Sequence, residues 1–392
     1  MSDSLVIFLI AGEASGDQLG ADLMVSLKKI KDVQFAGIGG EAMESQGFQS
    51  LFPMEELSIV GLSGILRNVW SLRKRLTQTV QTIQTLKPDI VITIDAPEFS
   101  FRVLKRLRTS PHKPSLIHYV APTVWAWRPG RAKKIARFLD HLLCLYHFEP
   151  PYFERVGLQA TFVGHPIGKK RVSKQGRDPN LLCVLPGSRR SEIDALLPIF
   201  KETVVSLKKD FADLKVIIPT LPALKELIAL RTSDWPLDVR IVAGEKARDE
   251  AFQKSQAALA ASGTVALQLA AANLPFVIAY KIGKISGWLA RPLIKTPWAC
   301  MVNILLFFQK LGSDFVLTPR AKEQIPNPWI PEFIQEDCTS EKIAPVLAKL
   351  LKDPQTRKVQ VKAMEEALSL LKAPPDLAAQ TVLQTVDAVW TH

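Results

Sequence analysis

Leu181-Leu182-Cys183-Val184-Leu185-Pro186-Gly187-Ser188-Arg189-Arg190-Ser191-Glu192-Ile193 is an apolar run that breaks at Pro-Gly, presents a hydroxyl and two guanidinium groups, and reopens as an apolar-periodic segment. Pro186-Gly187 forces a tight turn where a buried strand ends. Ser191 suits a helix N-cap, and Ile193, Leu196, Leu197 and Phe200 have the spacing of an inner helix face. A parallel strand that runs into a helix N-terminus is where an α/β sheet binds anions. Arg189 and Arg190 place forked cations there, a chemistry matched to a diphosphate. The alternative is an ordinary surface loop with solvated arginines.

The rest of the chain repeats this strand-to-helix alternation. Leu5 to Ala11 reads as a central strand, Gly12 to Asp17 as a tight loop, and about Gln18 to Ile30 as a helix. The glycines of this loop do not fit the G-x-G-x-x-G dinucleotide spacing. Gln34 to Ile38 is a second strand. Ile90 to Ile94 is a buried strand that delivers Asp95 at its carboxyl end, a position suited to a general base. Alternatively Asp95 caps the helix begun after Pro97, and Glu98 is a weaker base candidate. Leu116 to Val120 leads into Ala121-Pro122-Thr123-Val124-Trp125-Ala126-Trp127-Arg128, whose tryptophans either shape a pocket or cover the sheet. His141 to Leu145 and Ala160 to Val163 are further strands, and Gly164-His165-Pro166 reads as a hinge. A lone histidine in a linker, like His165, is more often structural than substrate-binding.

After the hinge come strands at Leu181 to Leu185, Lys215 to Ile218, Val239 to Val242, Ala257 to Ala261 and Phe276 to Ala279. Ser262-Gly263-Thr264 forms a second strand-to-helix anion turn, with Gln268 one helical turn further on. One half thus offers two phosphate-type loops and the other a carboxylate.

At 392 residues the chain is long enough for two domains, and 47% hydrophobic with 22% charged residues marks a folded soluble protein. Lys+Arg 50 against Asp+Glu 38 gives a net charge of +12, which calls for an anionic partner. Cys144, Cys183, Cys300 and Cys338 lie too far apart for a metal-ligand pattern and suit a reducing cytoplasm. The apolar amino terminus is too short, and too soon followed by Glu13, for a signal peptide. No run approaches ~20 apolar residues; the best candidate, Trp288 to Phe308, is interrupted by Arg291 and Lys295. Ile59 to Arg75 interleaves Ile65, Leu66, Val69, Trp70 and Leu72 with Arg67, Arg73, Lys74 and Arg75, a pattern suited to a membrane interface or to an amphipathic helix on its own sheet. No Walker A, H-E-x-x-H or G-x-S-x-G motif occurs, and no Asp-x-Asp supplies a metal clamp for a diphosphate. Basic groups and helix dipoles are left to stabilise such a leaving group, and no metal or cofactor is expected.

In their order, several segments resemble the lipid-A-disaccharide synthase family. They are Ala11 to Asp17, Ile94-Asp95-Ala96-Pro97, His118 to Arg128, Gly164-His165-Pro166, Leu185 to Arg189, Ala261-Ser262-Gly263-Thr264, and Pro331 to Cys338. The resemblance implies an α/β protein of GT-B type, with two Rossmann-like domains facing across a cleft. They would span 1–165 and 166–365, with a helical tail over 366–392 that packs on the first domain or on a partner subunit of a homodimer. It implies an inverting transfer of 2,3-diacylglucosamine from its UDP form to 2,3-diacylglucosamine 1-phosphate (lipid X). Asp95 and Arg189 match the family's essential residues; Ser188, Arg189, Ser262, Gly263, Thr264, Gln268 and Asn303 fall at its nucleotide site. Localisation would be cytoplasmic and peripheral, on the inner face of the cytoplasmic membrane of a Gram-negative-type bacterium.

This sequence also departs from the pattern. Gln268 stands where the family usually carries Glu, Gly64 replaces an acidic residue, and Met301 to Trp329 is longer and less regular than the family's compact turn, of which Asn303 survives. Two other functions compete with the resemblance: a related UDP-sugar transferase or epimerase with another acceptor, and a nucleic-acid-binding protein. No aromatic-rich RNP pattern or basic recognition helix supports the latter.

Overall fold

The computed structural model describes residues 4–58, 69–126, 128–169, 176–281, 296, 298–312 and 327–390. The chain forms two compact units, 1–166 joined by 373–392, and 167–372. The return to the first unit thus falls at 372/373, later than the expected 365/366. A helix running unbroken from Pro354 to Ser369 holds the intervening residues in the second unit.

In the first unit, β1 (Leu5–Ala11), β2 (Val33–Ile38), β3 (Ile90–Ile94), β4 (Ser115–Tyr119), β5 (His141–Cys144) and β6 (Gln159–Phe162) form one parallel sheet. Their order is β2-β1-β3-β4-β5-β6. Helices cover the centre of the sheet, and all five residues of β3 are buried, four of them apolar. The helices are α1 (Ala14–Ile30), α2 (Glu41–Glu44), α3 (Glu55–Ser58), α4 (Val69–Leu86), α5 (Pro97–Arg108), α6 (Gly130–Ile135) and α7 (Pro150–Glu154).

The second unit repeats the scheme. Its strands are β7 (Asp178–Leu185), β8 (Lys215–Thr220), β9 (Asp238–Ala243), β10 (Ser255–Ala261), β11 (Phe276–Tyr280) and β12 (Glu332–Ile334), ordered β12-β11-β10-β7-β8-β9 and all parallel. Its helices are α8 (Arg190–Lys208), α9 (Lys225–Thr232), α10 (Glu245–Lys254), α11 (Val265–Ala271), α12 (Met301–Leu311), α13 (Ser340–Lys352) and α14 (Pro354–Ser369). The segment expected to be irregular from Met301 begins as a regular helix, apolar because Val302 to Phe308 are all buried.

The tail helix, α15 (Leu377–Trp390), returns to the first unit. Ala379, Val382 and Val386 join the core that holds Ile7, Leu9 and Ile92. Among the described residues no helix is long and apolar enough to cross a membrane. Of the basic, apolar stretch from Ile59 to Arg75, 59–68 lie outside the described residues. Further on, Leu72 packs on the core. Arg75 is not part of a free basic border: its guanidinium donates to both oxygens of Glu56 at 2.7 and 2.6 Å and lies over Phe52.

Two buried carboxylates organise loops. α1 starts at Ala14, four residues before its expected start, which puts Asp17 in its first turn. The Asp17 carboxylate accepts from the backbone N–H groups of Gly40, Ala42 and Met43 and so closes the start of α2. Glu149, 1% exposed, accepts from Trp125 Nε1 at 3.2 Å and from the Tyr146 N–H at 3.1 Å. Trp125 is therefore a core residue, set edge-on against Phe148, while Trp127 lies outside the described residues.

Burial pushes the Glu149 carboxyl up from 4.5 to about 8. Between those values the folded protein holds a proton that the unfolded chain has lost. The stability from this proton is complete below the unfolded pKa and is lost as pH rises through about 8. Glutamine does not titrate. Relative to wild type, Glu149→Gln is therefore expected to gain stability with rising pH across this window, by up to about 1.4 kcal/mol per pH unit. Urea unfolding of both proteins across that window reads the difference, and a pH-independent difference would show that Glu149 is already ionised at neutral pH.

Candidate active site

In a doubly wound sheet, the loops beyond the carboxyl ends of the strands spread apart where the strand order reverses, and that crevice takes the ligand. In the first unit the reversal falls between β1 and β3. The loops that leave these strands are Gly12-Glu13 and Asp95-Ala96.

Asp95 and Ala96 both adopt left-handed backbone, at φ 53° and 44°. Such a conformation costs a non-glycine residue about 1–2 kcal/mol. Three contacts hold the turn: the Asp95 N–H donates to the Tyr119 carbonyl, Ser100 Oγ donates to the Asp95 carbonyl, and the Ala96 N–H donates to Asp95 Oδ1 at 2.9 Å. The carboxylate accepts from the N–H of its own neighbour, and α5 begins after Ala96 as N-cap with no side-chain cap hydrogen bond, so Asp95 is not the cap for which Pro97 made it a candidate. Desolvation raises the pKa of the half-buried carboxyl, and the Ala96 N–H offsets part of that rise. A carboxylate with raised proton affinity suits a general base. Glu98, the weaker candidate, is exposed and pairs with Arg131 at 3.4 Å.

Two neighbours bear on this edge of the sheet. His118 is fully buried on β4, its Nδ1 lies 2.7 Å from Thr93 Oγ1, and burial pushes its pKa down to about 3, so it is neutral. The ring of His165 stacks on Tyr146 at 5.9 Å, and burial pushes its pKa down to about 4.

In the second unit the strand order reverses between β7 and β10. The loops there are Pro186 to Arg189 and Ser262-Gly263-Thr264. α8 begins at Arg190 with Arg189 as its N-cap, so Ser191, expected as the cap, lies inside the helix. Glu192 displaces it: the Glu192 carboxylate accepts from the Ser188 and Arg189 N–H groups at 3.1 and 3.3 Å. Gly187, at φ 109°, leaves the room for this, because a Cβ there would lie 2.5 Å from Glu192 Oε2. The Arg189 side chain is 77% exposed, with one Nη 3.3 Å from Glu192. The loop therefore presents an outward guanidinium above amides that an internal carboxylate already satisfies.

Gly263 and Thr264 are exposed, and Ser262 Oγ lies 3.4 Å from the Ala299 carbonyl. Gln268 lines a small cavity of about 30 Å³ with Ile167, Arg248 and Phe252. Asn303 sits inside α12, fully buried. Its Nδ2 donates to the Ile330 carbonyl at 2.8 Å and to Glu332 Oε1 at 2.7 Å, and its Oδ1 accepts from the Ile330 N–H at 2.9 Å. Glu332 also accepts from the Ala299 and Cys300 N–H groups. One buried amide thus ties α12 and β12 to the segment that touches Ser262. Sequence reasoning missed Ser100, Glu149, Glu192 and Glu332 as supports; the spacing of Glu192 after the Pro-Gly turn was the available signal for one of them.

The family model for lipid-A-disaccharide synthetase matches residues 7–386. The lipid-A-disaccharide synthase of Rhodospirillum centenum is 45% identical over 399 residues, covering 97% of this chain and 95% of that protein. Among solved structures, UDP-GlcNAc 2-epimerase from Neisseria meningitidis superposes with a TM-score of 0.58 at 10% identity, covering 98% of this chain and 99% of that one. CalG4, the calicheamicin glycosyltransferase, superposes with a TM-score of 0.56 at 12% identity, covering 99% and 100%. These structural likenesses show the fold alone, two Rossmann-like α/β domains of the GT-B kind. With the family match spanning nearly all of it, the chain belongs to the lipid-A-disaccharide synthase family of glycosyltransferases.

Proposed function

We propose that this protein joins UDP-2,3-diacylglucosamine to 2,3-diacylglucosamine 1-phosphate, giving the β-1,6-linked disaccharide 1-phosphate and UDP. The observation that carries the mechanism is the placement of a raised-pKa carboxylate and an exposed guanidinium at the two strand-order reversals. The acceptor 6-hydroxyl oxygen attacks the donor's anomeric carbon from the face opposite the diphosphate. The new C–O bond forms as the bond to the diphosphate breaks, and UDP leaves with the electron pair. Asp95 takes the hydroxyl proton. Arg189 neutralises the charge that builds on the leaving diphosphate. Ser188, Ser262, Gly263 and Thr264 contribute short polar contacts to the nucleotide, and Gln268 donates and accepts at the ribose without a charge. Asn303 acts at one remove, by holding Glu332 and the segment against Ser262.

Both substrates carry acyl chains, so the enzyme works at the inner leaflet as a peripheral protein. Of the Ile59–Arg75 stretch, Arg73 and Lys74, exposed on α4, are proposed as part of the contact, whereas Leu72 and Arg75 are engaged within the fold. Basic residues near an anionic surface contribute roughly 1 kcal/mol each. The epimerase alternative rests on a fold that many activities share, whereas the family match is to the synthase.

Two variants test the assignment in a radiolabelled transfer assay with both substrates. Asp95→Asn keeps the shape of the side chain but cannot take a proton, and is expected to lose ~10²–10⁴-fold in transfer rate with UDP affinity unchanged. Full activity would remove the base. Arg189→Ala is expected to slow transfer by about 10²-fold, on the order of 3 kcal/mol in the transition state, with the fold intact. Near-normal turnover would mean that the diphosphate is held elsewhere.

A further inference from the structure

Gly12 closes β1 and Ala96 follows the proposed base, 84 residues later in the chain. They meet at the strand-order reversal of the first sheet. A Cβ built on Gly12 would lie 2.4 Å from the Cβ of Ala96. The next nearest atoms, Ala96 Cα and Leu57 Cβ, are at 3.9 Å, which is ordinary contact. The whole conflict therefore comes from one methyl group, and that methyl is fixed to backbone. It cannot rotate away, so any side chain at position 12 must displace the Asp95-Ala96 turn itself.

The turn has little slack. Both residues are left-handed, Ala96 leads directly into Pro97 at the start of α5, and Ser100 Oγ holds the Asp95 carbonyl from below. Gly12 has no such backbone demand, since its φ lies outside the left-handed range. Its requirement for glycine is one of space alone.

We infer that Gly12 is a positioning residue for Asp95: the bare Cα of the first loop is the surface against which the base-bearing turn is set. This deepens the transfer mechanism and rests on Asp95 being its base. Gly12→Ala would push the turn outward by about 1 Å, and a displacement of that size in a reacting group costs ~10²-fold in rate.

A two-site cycle tests it. Gly12→Ala is expected to lower kcat by ~10–10²-fold with the KM for the UDP-sugar little changed. Ala96→Gly removes the opposing methyl, suits the left-handed backbone and keeps the N–H that serves Asp95, and its own rate is the reference for the double variant. The double variant Gly12→Ala/Ala96→Gly should return to the Ala96→Gly rate, since no atom then lies closer than 3.9 Å. If Gly12→Ala alone fails to fold, the double variant should fold and turn over. A double variant that stays as impaired as Gly12→Ala, or a fully active Gly12→Ala, overturns the inference. Asp95→Asn measured alongside separates the levels. An inactive Asp95→Asn with an active Gly12→Ala defeats only the positioning role, whereas a fully active Asp95→Asn defeats the base and this inference with it.

Discussion

A parallel sheet commits its polar strand ends to one edge, and the strand-order reversal decides which ends are spread far enough apart to admit a ligand. Everything functional in this protein follows from that constraint being applied twice. In the first sheet it selects the ends of β1 and β3, and in the second the ends of β7 and β10. The first pair carries a carboxylate and the second a guanidinium and a hydroxyl turn. The division of labour proposed for them, proton acceptance by one unit and charge neutralisation by the other, follows which strand ends the topology sets apart.

Each edge is then held by carboxyl groups that accept from loop amides, Asp17 and Glu149 buried, Glu192 and Glu332 half-buried. Asp17 closes the start of α2, Glu149 ties Trp125 to the loop after β5, Glu192 closes the start of α8, and Glu332 gathers Asn303 with the N–H groups before α12. A buried acceptor left unpaired would cost roughly 1–3 kcal/mol, and so would each orphaned amide it serves. Their pairing fixes loops that carry no regular structure of their own. Glu192 has a further consequence. Because it satisfies the Ser188 and Arg189 amides, the loop meets an arriving anion with the exposed guanidinium groups of Arg189 and Arg190 rather than with those amides. The exposed guanidinium of Arg189 and the carboxylate that closes the helix start are separated by only three residues along the chain.

Local signals carried most of this. The ends of β3, β7 and β10 are legible because an apolar run stops at a polar or glycine-containing turn, and strand limits differ from their sequence expectation by only a few residues. What escaped was non-local or a contest between neighbours. Ser191 has the right chemistry for a cap, but Glu192 reaches the same amides with a charge and wins. Asn303 looks like a ligand-facing amide, yet its partners lie 27 and 29 residues on, just before and at the start of a strand too short to announce itself. Trp125 reads equally as pocket wall or core until Glu149, 24 residues away, is seen to hold its indole N–H. The pattern of hydrophobicity specifies which segments are strands; it carries no information about which atoms of distant loops touch.

The central claim is that the carboxyl at position 95, lifted by desolvation, accepts the acceptor's proton. The most direct measurement is the pH dependence of kcat/KM for transfer. A raised pKa places the acid limb above the value of about 3.9 expected for a free aspartate, with activity falling as pH drops through it. An acid limb at that higher pH in the wild type, absent from the residual activity of Asp95→Asn, is the result the account predicts. The same limb persisting unchanged in Asp95→Asn would contradict it, because the titrating base would then be another group.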